Sequence, residues 1–309
     1  MKKTFLTVGI VSTLAFFLLT LIVPAKLGKL VYDNATDLEA IFYGLDEVRV
    51  DIGEMTMSVY QNKLPNRPTI LMLHGYSADK DVWPRFAKYF LDDFNVLIPD
   101  MAGHGDTGFE PGWNYSGPAQ AERLVKLLDK LEVGKVHVIG NSMGGFIAAH
   151  FAKSFPDRTL SATFIDPAGV KSPKLSDMEK LLVQGRNPFE INNRQEFDEF
   201  YSMTMASPPW FPDFILEAVS QKYQTRREQL VKIFAGFHLQ DMLDDSLGEI
   251  TVPTLLMWGA KDQLIHESSV AVWRKGIKNL KVKVWPEIGH MPMMEIPNES
   301  AQEYLRFLN

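Results

Sequence analysis

The chain has 309 residues and a formal net charge of −6 at pH 7, with 46% hydrophobic and 23% charged residues. This length suits one large α/β domain with an insertion or two small domains, and the acidic balance argues against a nucleic-acid partner. The sequence contains no cysteine, which excludes disulfides, thiolate metal sites, a cysteine nucleophile and a lipid anchor on cysteine.

The N-terminus carries an uncharged stretch from Thr4 to Ala25, preceded by Lys2 and Lys3. A signal-peptide core spans about 7–15 residues and a membrane span needs about 20, so this stretch is long enough to cross a bilayer. We expect residues 1–26 to be a membrane anchor, with the rest of the chain on the outer or periplasmic side. The alternative is a signal segment cleaved near Ala25, which would release a secreted protein.

Eight short segments have the character of β-strands. The first two flank a turn and predict a hairpin, while most of the others are apolar runs typical of strands buried on both faces of a sheet. In chain order they are Val48–Ile52, Met55–Tyr60, Thr69–Leu73, Asn95–Pro99, Val136–Ile139, Ala162–Ile165, Thr254–Trp258 and Val282–Trp285. Helical patterns separate them, at Asp81–Leu91, Pro118–Leu131, Ser142–Phe155, Glu267–Ile277 and Ser300–Leu308. This alternation predicts an α/β fold with a mostly parallel central sheet flanked by helices.

One block of the chain breaks the alternation of strands and helices. Residues 169–250 contain no convincing strand, are prone to form helices and carry several prolines. We therefore predict a helical cap at 169–250, inserted between a first core part at 46–168 and a second at 251–309. Residues 27–45 are interpreted as a connector that follows the N-terminal segment.

The most informative motif is Gly140-Asn141-Ser142-Met143-Gly144, a G-x-S-x-G sequence between a predicted strand and a predicted helix. A serine on a sharp turn from strand to helix is the nucleophile elbow of an α/β-hydrolase. The two flanking glycines let strand and helix approach each other without Cβ clashes. The motif predicts the α/β-hydrolase fold and Ser142 as its nucleophile.

A serine hydroxyl needs a base to take its proton, and the base needs an acid to orient and stabilise it. In this fold the acid and then the histidine follow the serine along the chain. His290 lies in a loop between the last strand and the last helix, where the base is expected. Asp262, just past the end of a strand, is the leading acid, and Asp166, which also ends a strand, is its competitor.

Two backbone N–H groups are expected to stabilise the oxyanion of a tetrahedral intermediate. One is that of Met143, which follows the nucleophile, and the other is that of Tyr76, in the loop after the strand ending at Leu73.

The predicted cap is rich in aromatic residues and methionine, which suits an acyl chain because methionine adapts to irregular apolar shapes. The residues expected to line the substrate pocket are His74, Met203, Trp210, Phe211 and Met291.

From about residue 67 to residue 307 the chain resembles α/β-hydrolase serine esterases and lipases. The bacterial family V lipases and the membrane-anchored monoacylglycerol lipase of the α/β-hydrolase-domain group are especially similar. The segments that carry the resemblance are Leu73–Trp83, Pro99–Gly105, Gly140–Gly145, Asp166–Gly169, Trp258–Asp262 and Gly289–His290. The resemblance implies a triad of Ser142, Asp262 and His290, with oxyanion donors at Tyr76 and Met143.

These observations predict a serine carboxylester hydrolase that cleaves short- to medium-chain acyl esters or monoacylglycerols, with no cofactor and no metal. Its expected partners are an acyl ester or lipid substrate and a membrane. One alternative is a carbon–carbon bond hydrolase of a ring-cleavage pathway. Those enzymes typically carry Trp directly after the catalytic histidine, where this chain has Met291. An alternative from another class is a non-catalytic binding module on the same fold.

Overall fold

A computed structural model of the chain describes residues 35–309. The predicted anchor or signal segment at residues 1–26 lies outside the described residues, as does the first part of the predicted connector. Within residues 35–309, no helix is both long and apolar enough to span a membrane.

The described residues form a sheet of eight strands. In chain order they are β1 Asp46–Asp51, β2 Thr56–Gln61, β3 Thr69–Leu73, β4 Asn95–Pro99, β5 Val136–Asn141, β6 Thr159–Ile165, β7 Thr254–Gly259 and β8 Leu280–Trp285. Their order across the sheet is β1-β2-β4-β3-β5-β6-β7-β8. The pairs β1–β2 and β2–β4 are antiparallel, and the remaining neighbours are parallel. The predicted mostly parallel sheet with an antiparallel start is therefore confirmed.

Helices flank the sheet on both faces. They are α1 at residues 35–42, α2 Pro84–Ala87, α3 Gly117–Lys130, α4 Met143–Ser154, α5 Asp177–Val183, α6 Arg194–Thr204, α7 Asp213–Phe237, α8 Ser269–Gly276, α9 Pro292–Glu295 and α10 Pro297–Leu308.

The core has two layers because successive side chains of a strand point to opposite faces of the sheet. In β3, Leu71 and Leu73 join the apolar cluster under α3, α4 and the segment between β6 and β7. Ile70 and Met72 join the second cluster, with α2 and α10. Burial on both faces explains why β3 is a continuous apolar run rather than an alternating one.

The segment between β6 and β7 contains α5, α6, α7 and a 3₁₀ turn at Leu247–Glu249, and no strand forms between residues 166 and 253. This segment is bonded to the loop that follows β3. The Tyr76 hydroxyl donates to the Leu230 carbonyl at 2.6 Å, and Lys222 forms an ion pair with Asp79 at 2.8 Å. The helical segment predicted as a cap therefore contacts the same loop that carries a predicted oxyanion donor.

The prediction of a single helix at Asp81–Leu91 is wrong. The chain instead forms a 3₁₀ turn at Lys80–Val82, the short helix α2 and then a series of turns. The Asp79 side chain accepts from the Asp81 N–H and begins the 3₁₀ turn, while Pro84 at the first position of α2 begins a new helix.

Candidate active site

Ser142 occupies a strained turn between the end of β5 and the start of α4. Its backbone angles are φ 58° and ψ −119°, in a region that residues other than glycine rarely adopt. A Cβ at Gly140 would lie 2.1 Å from the Gly144 carbonyl oxygen, and a Cβ at Gly144 would lie 2.2 Å from that of Leu73. Both glycines are therefore required by the close approach of β5, α4 and β3. Ser142 itself is half-buried, so its hydroxyl remains accessible.

His290 and Asp262 are in direct contact. The Nδ1 atom of His290 lies 2.7 Å from Oδ2 of Asp262, and both residues are buried. The other carboxylate oxygen of Asp262 accepts from the backbone N–H groups of Leu264 at 2.8 Å and Ile265 at 3.0 Å. These bonds fix the carboxylate, which in turn orients the imidazole with Nδ1–H as donor and leaves Nε2 able to accept a proton.

Asp166, the competing acid, lies beside this pair without bonding to the histidine. Its Oδ1 accepts from the Gly259 N–H at 2.9 Å, and Oδ2 has no hydrogen-bond partner among the described residues. Burial, and then the charge of the neighbouring Asp262, raise the pKa of Asp166 well above its ordinary value. Burial therefore favours the neutral form of Asp166.

One carboxylate oxygen each of Asp166 and Asp262 and one ring nitrogen of His290 lie within 4.8 Å of one another. Such a set could ligate a metal ion. In the described residues, however, two of the three groups already bond to each other at 2.7 Å, as expected of an acid that orients a base.

The backbone N–H groups of Tyr76 and Met143 donate no hydrogen bond within residues 35–309. The loop that carries Tyr76 lies against the elbow, since a Cβ on Gly75 would lie 3.2 Å from Cβ of Ser142. Met143 is the first residue of α4, where backbone N–H groups have no partner within the helix and favour negative charge. Both positions therefore suit the predicted role of oxyanion donor.

Two residues that sequence reasoning missed hold the site together. The Asn141 amide donates to the carbonyls of Ile165 at 3.2 Å and His290 at 2.9 Å, joining the elbow to the histidine loop. Glu295 accepts from the Gly289 N–H at 2.8 Å, and from the N–H groups of Ala206 and Ser207 at 3.0 and 3.1 Å. Asn141 occupies a variable position of the motif and Glu295 is the last residue of the short helix α9, so neither gave a signal in the sequence.

A cavity of about 160 Å³ opens beside Ser142 and His290. Its walls are mostly apolar and come from the loop after β3, from the helical segment and from the loop after His290. Of the predicted pocket residues, Phe211 and Met291 line this cavity.

The other three predicted pocket residues lie elsewhere. Trp210 is 84% exposed, because the chain turns its neighbour Phe211 inward instead. Met203 is buried in the apolar core. His74 is fully buried: its Nδ1 bonds to the Gly75 carbonyl at 2.8 Å and its Nε2 accepts from the Met101 N–H at 3.0 Å. Burial lowers the pKa of His74, which therefore acts as a neutral support for this loop.

A second, smaller apolar cavity meets the first at Ser142. Tyr76, Phe189 and Leu264 line both cavities and stand between them. The nucleophile thus faces apolar space on two sides, which suits a substrate with an apolar group on each side of the scissile bond.

Comparisons with known proteins agree with this fold. The profile of the alpha/beta hydrolase fold family matches residues 68–243. Lipase 1 of Psychrobacter immobilis is 29% identical over 277 residues, covering 89% of this chain and 85% of the relative. Monoacylglycerol lipase ABHD6 of Mus musculus is 27% identical over 261 residues, covering 81% of this chain and 78% of the relative. The crystal structure of a bacterial membrane phospholipase A superposes with a TM-score of 0.86 and 31% identity, covering 100% of this chain and 98% of that one.

Proposed function

Because the chain belongs to the alpha/beta hydrolase fold family, we propose that it cleaves acyl esters by means of a triad of Ser142, His290 and Asp262. The similar lipases place it among the carboxylic ester hydrolases. One observation carries the assignment of the triad: the strained Ser142 lines the same cavity as His290, which is hydrogen-bonded to Asp262.

In the first half of the reaction, the Ser142 hydroxyl attacks the acyl carbon while Nε2 of His290 takes the hydroxyl proton. The carbonyl oxygen becomes an oxyanion and accepts hydrogen bonds from the N–H groups of Tyr76 and Met143. His290 then gives the proton to the leaving alcohol, and an acyl-enzyme remains. Asp262 stabilises the imidazolium while it is charged.

In the second half, His290 takes a proton from water, which attacks the acyl carbon of the acyl-enzyme. The tetrahedral intermediate again places its oxyanion at Tyr76 and Met143. Its collapse releases the fatty acid, and His290 returns the proton to the Ser142 oxygen. Every group used in this cycle belongs to the chain, so the mechanism requires no cofactor.

The substrates we propose are short- to medium-chain acyl esters or monoacylglycerols. The apolar cavity at Ser142 supports an acyl chain as the group that binds there. Lipases and a monoacylglycerol lipase among the similar proteins agree with a lipid ester. The ring-cleavage and binding-module alternatives are not favoured. Lipase 1, monoacylglycerol lipase ABHD6 and the membrane phospholipase A are 27–31% identical to this chain, whereas a solved 2-hydroxy-6-oxo-6-phenylhexa-2,4-dienoate hydrolase is 17% identical. Met291 follows the histidine, where ring-cleavage hydrolases typically carry Trp.

We also propose that residues 1–26 anchor the enzyme to a membrane, with the catalytic domain outside. The uncharged stretch up to Ala25 supports this arrangement, and a similar structure is named a membrane phospholipase A. In the same proposal, residues 46–168 and 251–309 form the hydrolase core, and residues 169–250 form a cap over it.

The test is a panel of p-nitrophenyl esters and monoacylglycerols, with acyl chains from acetyl to stearoyl, hydrolysed by the full chain in detergent. We expect the highest rates between butyryl and dodecanoyl chains. Ser142→Ala should lower kcat about 10³-fold or more, while the exposed Ser154→Ala should not change it. Absence of ester turnover by the folded wild type would contradict the proposal.

A further inference from the structure

An exposed apolar surface lies on α1 and on the loop that precedes α7. Leu38, Ile41 and Phe42 of α1 are 63%, 62% and 83% exposed, and Trp210 of the loop is 84% exposed. Single exposed apolar residues are ordinary on protein surfaces, but here three lie on one helix, and Trp210 directly precedes Phe211, which lines a groove together with them. Such grouping marks a site of interaction. We call this group of four side chains the entry face.

A groove of about 830 Å³ runs through the entry face. Leu38, Ile41 and Phe42 line one side of it, and Phe211 and Phe214 line the other. Glu39, which also lines the groove, forms an ion pair with Arg85 at 2.7 Å, so its charge is compensated. The groove is therefore apolar over most of its length.

The groove adjoins the cavity at the candidate active site. Phe211, Ile215 and Met294 line both the groove and the cavity at Ser142. An acyl chain that enters between α1 and α7 meets mostly apolar side chains on the path to the nucleophile. A soluble, polar substrate would gain nothing from such a path.

The preceding sequence identifies what covers the entry face. The uncharged stretch ends at Ala25, and the nine residues 26–34 separate it from α1. Nine residues span at most about 30 Å when fully extended. If the stretch lies in a bilayer, α1 is held within that distance of the same bilayer.

We propose that the entry face rests on a lipid bilayer and that lipid esters pass from the bilayer through the groove to Ser142. This inference rests on the proposed ester hydrolase function and adds an orientation and a route for the substrate. Phe42 and Trp210 enter the interfacial region, where aromatic side chains are favoured. The bilayer is thus both the support of the enzyme and the source of its substrate.

Tryptophan fluorescence tests the orientation directly, because the chain has six tryptophans and none precedes Trp83. Trp83, Trp258 and Trp273 are fully buried, so Trp210 is the tryptophan best placed to contact lipid. The full chain would be reconstituted in vesicles of phosphatidylcholine whose acyl chains are brominated. We expect the brominated lipid to quench the fluorescence of the wild type. Trp210→Phe should largely remove this quenching, while Trp113→Phe, a control at a half-buried position, should retain it.

Activity tests the route. Two rates are measured for each variant, one on monoacylglycerol in phosphatidylcholine vesicles and one on soluble p-nitrophenyl butyrate. We expect Phe42→Ser to lower the ratio of the first rate to the second about tenfold. Val183→Ser, at a 75% exposed position in α5, is the matched control and should leave the ratio unchanged. A Phe42→Ser ratio equal to that of the wild type would overturn the proposal.

Two further outcomes would also overturn the inference. Equal quenching in wild type and Trp210→Phe would place the entry face away from the lipid. The second outcome is a wild type that is dimeric in detergent and shows no quenching of Trp210, while Phe42→Ser is monomeric. This result would show that the entry face is an interface between copies of the chain. Failure of the proposed function itself is distinguishable, because the wild type would then not hydrolyse the soluble ester.

Discussion

Asp262 is hydrogen-bonded to Nδ1 of His290 at 2.7 Å, whereas Asp166, close by, accepts from the backbone of Gly259. Both carboxyl groups end parallel strands of the same sheet and both are buried. Hydrogen bonding separates their roles: Asp262 is held by two backbone N–H groups and faces the imidazole, while Asp166 is directed to the start of the loop after β7.

This arrangement predicts unequal effects of removing each negative charge. Asp262→Asn should lower kcat by about 10³-fold or more, since an amide cannot hold the imidazole in the right tautomer or stabilise its charge. Asp166→Asn should lower kcat by less than about tenfold, because Asp166 does not bond to the imidazole and its burial favours the neutral form. Initial rates on p-nitrophenyl butyrate measure both effects. The reverse ranking would mean that Asp166 is the acid of the triad.

The raised pKa of Asp166 predicts how stability depends on pH. The folded state keeps this proton at pH values where the unfolded chain, with an ordinary aspartate, has lost it. Stability from this group is complete below a pH of about 4 and falls as pH rises towards the folded-state pKa. Asp166→Asn removes this pH-dependent loss of stability. The unfolding free energy of the variant minus that of the wild type should therefore increase from pH 4 to pH 8. Urea unfolding at several pH values measures it, and a constant difference would contradict the prediction.

Asn141 is predicted to position His290 through the histidine's own carbonyl. Asn141→Ala leaves that buried carbonyl without its 2.9 Å donor, at a cost of about 1–3 kcal/mol. Because small misplacements of catalytic groups are costly, kcat should fall about tenfold or more, with a smaller change in KM. Asn298→Ala, at an exposed position in α10, is the control. Equal kinetics for Asn141→Ala and wild type would show that the elbow does not depend on this bond.

Glu295 is predicted to couple the helical segment to the histidine loop. Its carboxylate accepts from three backbone N–H groups, those of Gly289, Ala206 and Ser207. Glu295→Ala should lower the unfolding free energy by about 2–4 kcal/mol and lower Tm accordingly, since each unpaired group costs about 1 kcal/mol. Glu299→Ala, at a neighbouring exposed position, provides the comparison in thermal unfolding. An unchanged Tm would show that Glu295 does not couple the helical segment to the histidine loop.

The strands could be predicted from the sequence because each is a short apolar run whose pattern is local. Thr69–Leu73 is one example: burial on both faces forces every residue to be apolar, and the structure places that strand in the middle of the sheet. The helix at Asp81–Leu91 could not be predicted in the same way. Pro84 permits a helix to begin at that point, and only packing against the second cluster decides that the helix is short.

The pocket shows the same division between local and tertiary information. Trp210 and Phe211 are neighbours with similar chemistry, and both stood out as pocket residues in the sequence. The structure directs Phe211 into the cavity and leaves Trp210 exposed, because the path of the loop before α7 depends on contacts with α1 and the helical segment. Asn141 and Glu295 gave no signal at all, since most of their partners lie far away in the chain.

The sequence by itself determined the α/β-hydrolase fold, the strand-to-helix turn at Ser142 and the loop positions of His290 and Asp262. These features depend on short-range patterns: apolar runs, glycines where backbones approach, and the order of elements along the chain. Tertiary structure decided which of two aspartates that follow parallel strands faces the histidine, which aromatic residues line the cavity, and that the cavity adjoins a groove beside α1. Those outcomes depend on the order of strands in the sheet and on the packing of the segment between β6 and β7, which bring together residues that the chain itself keeps far apart.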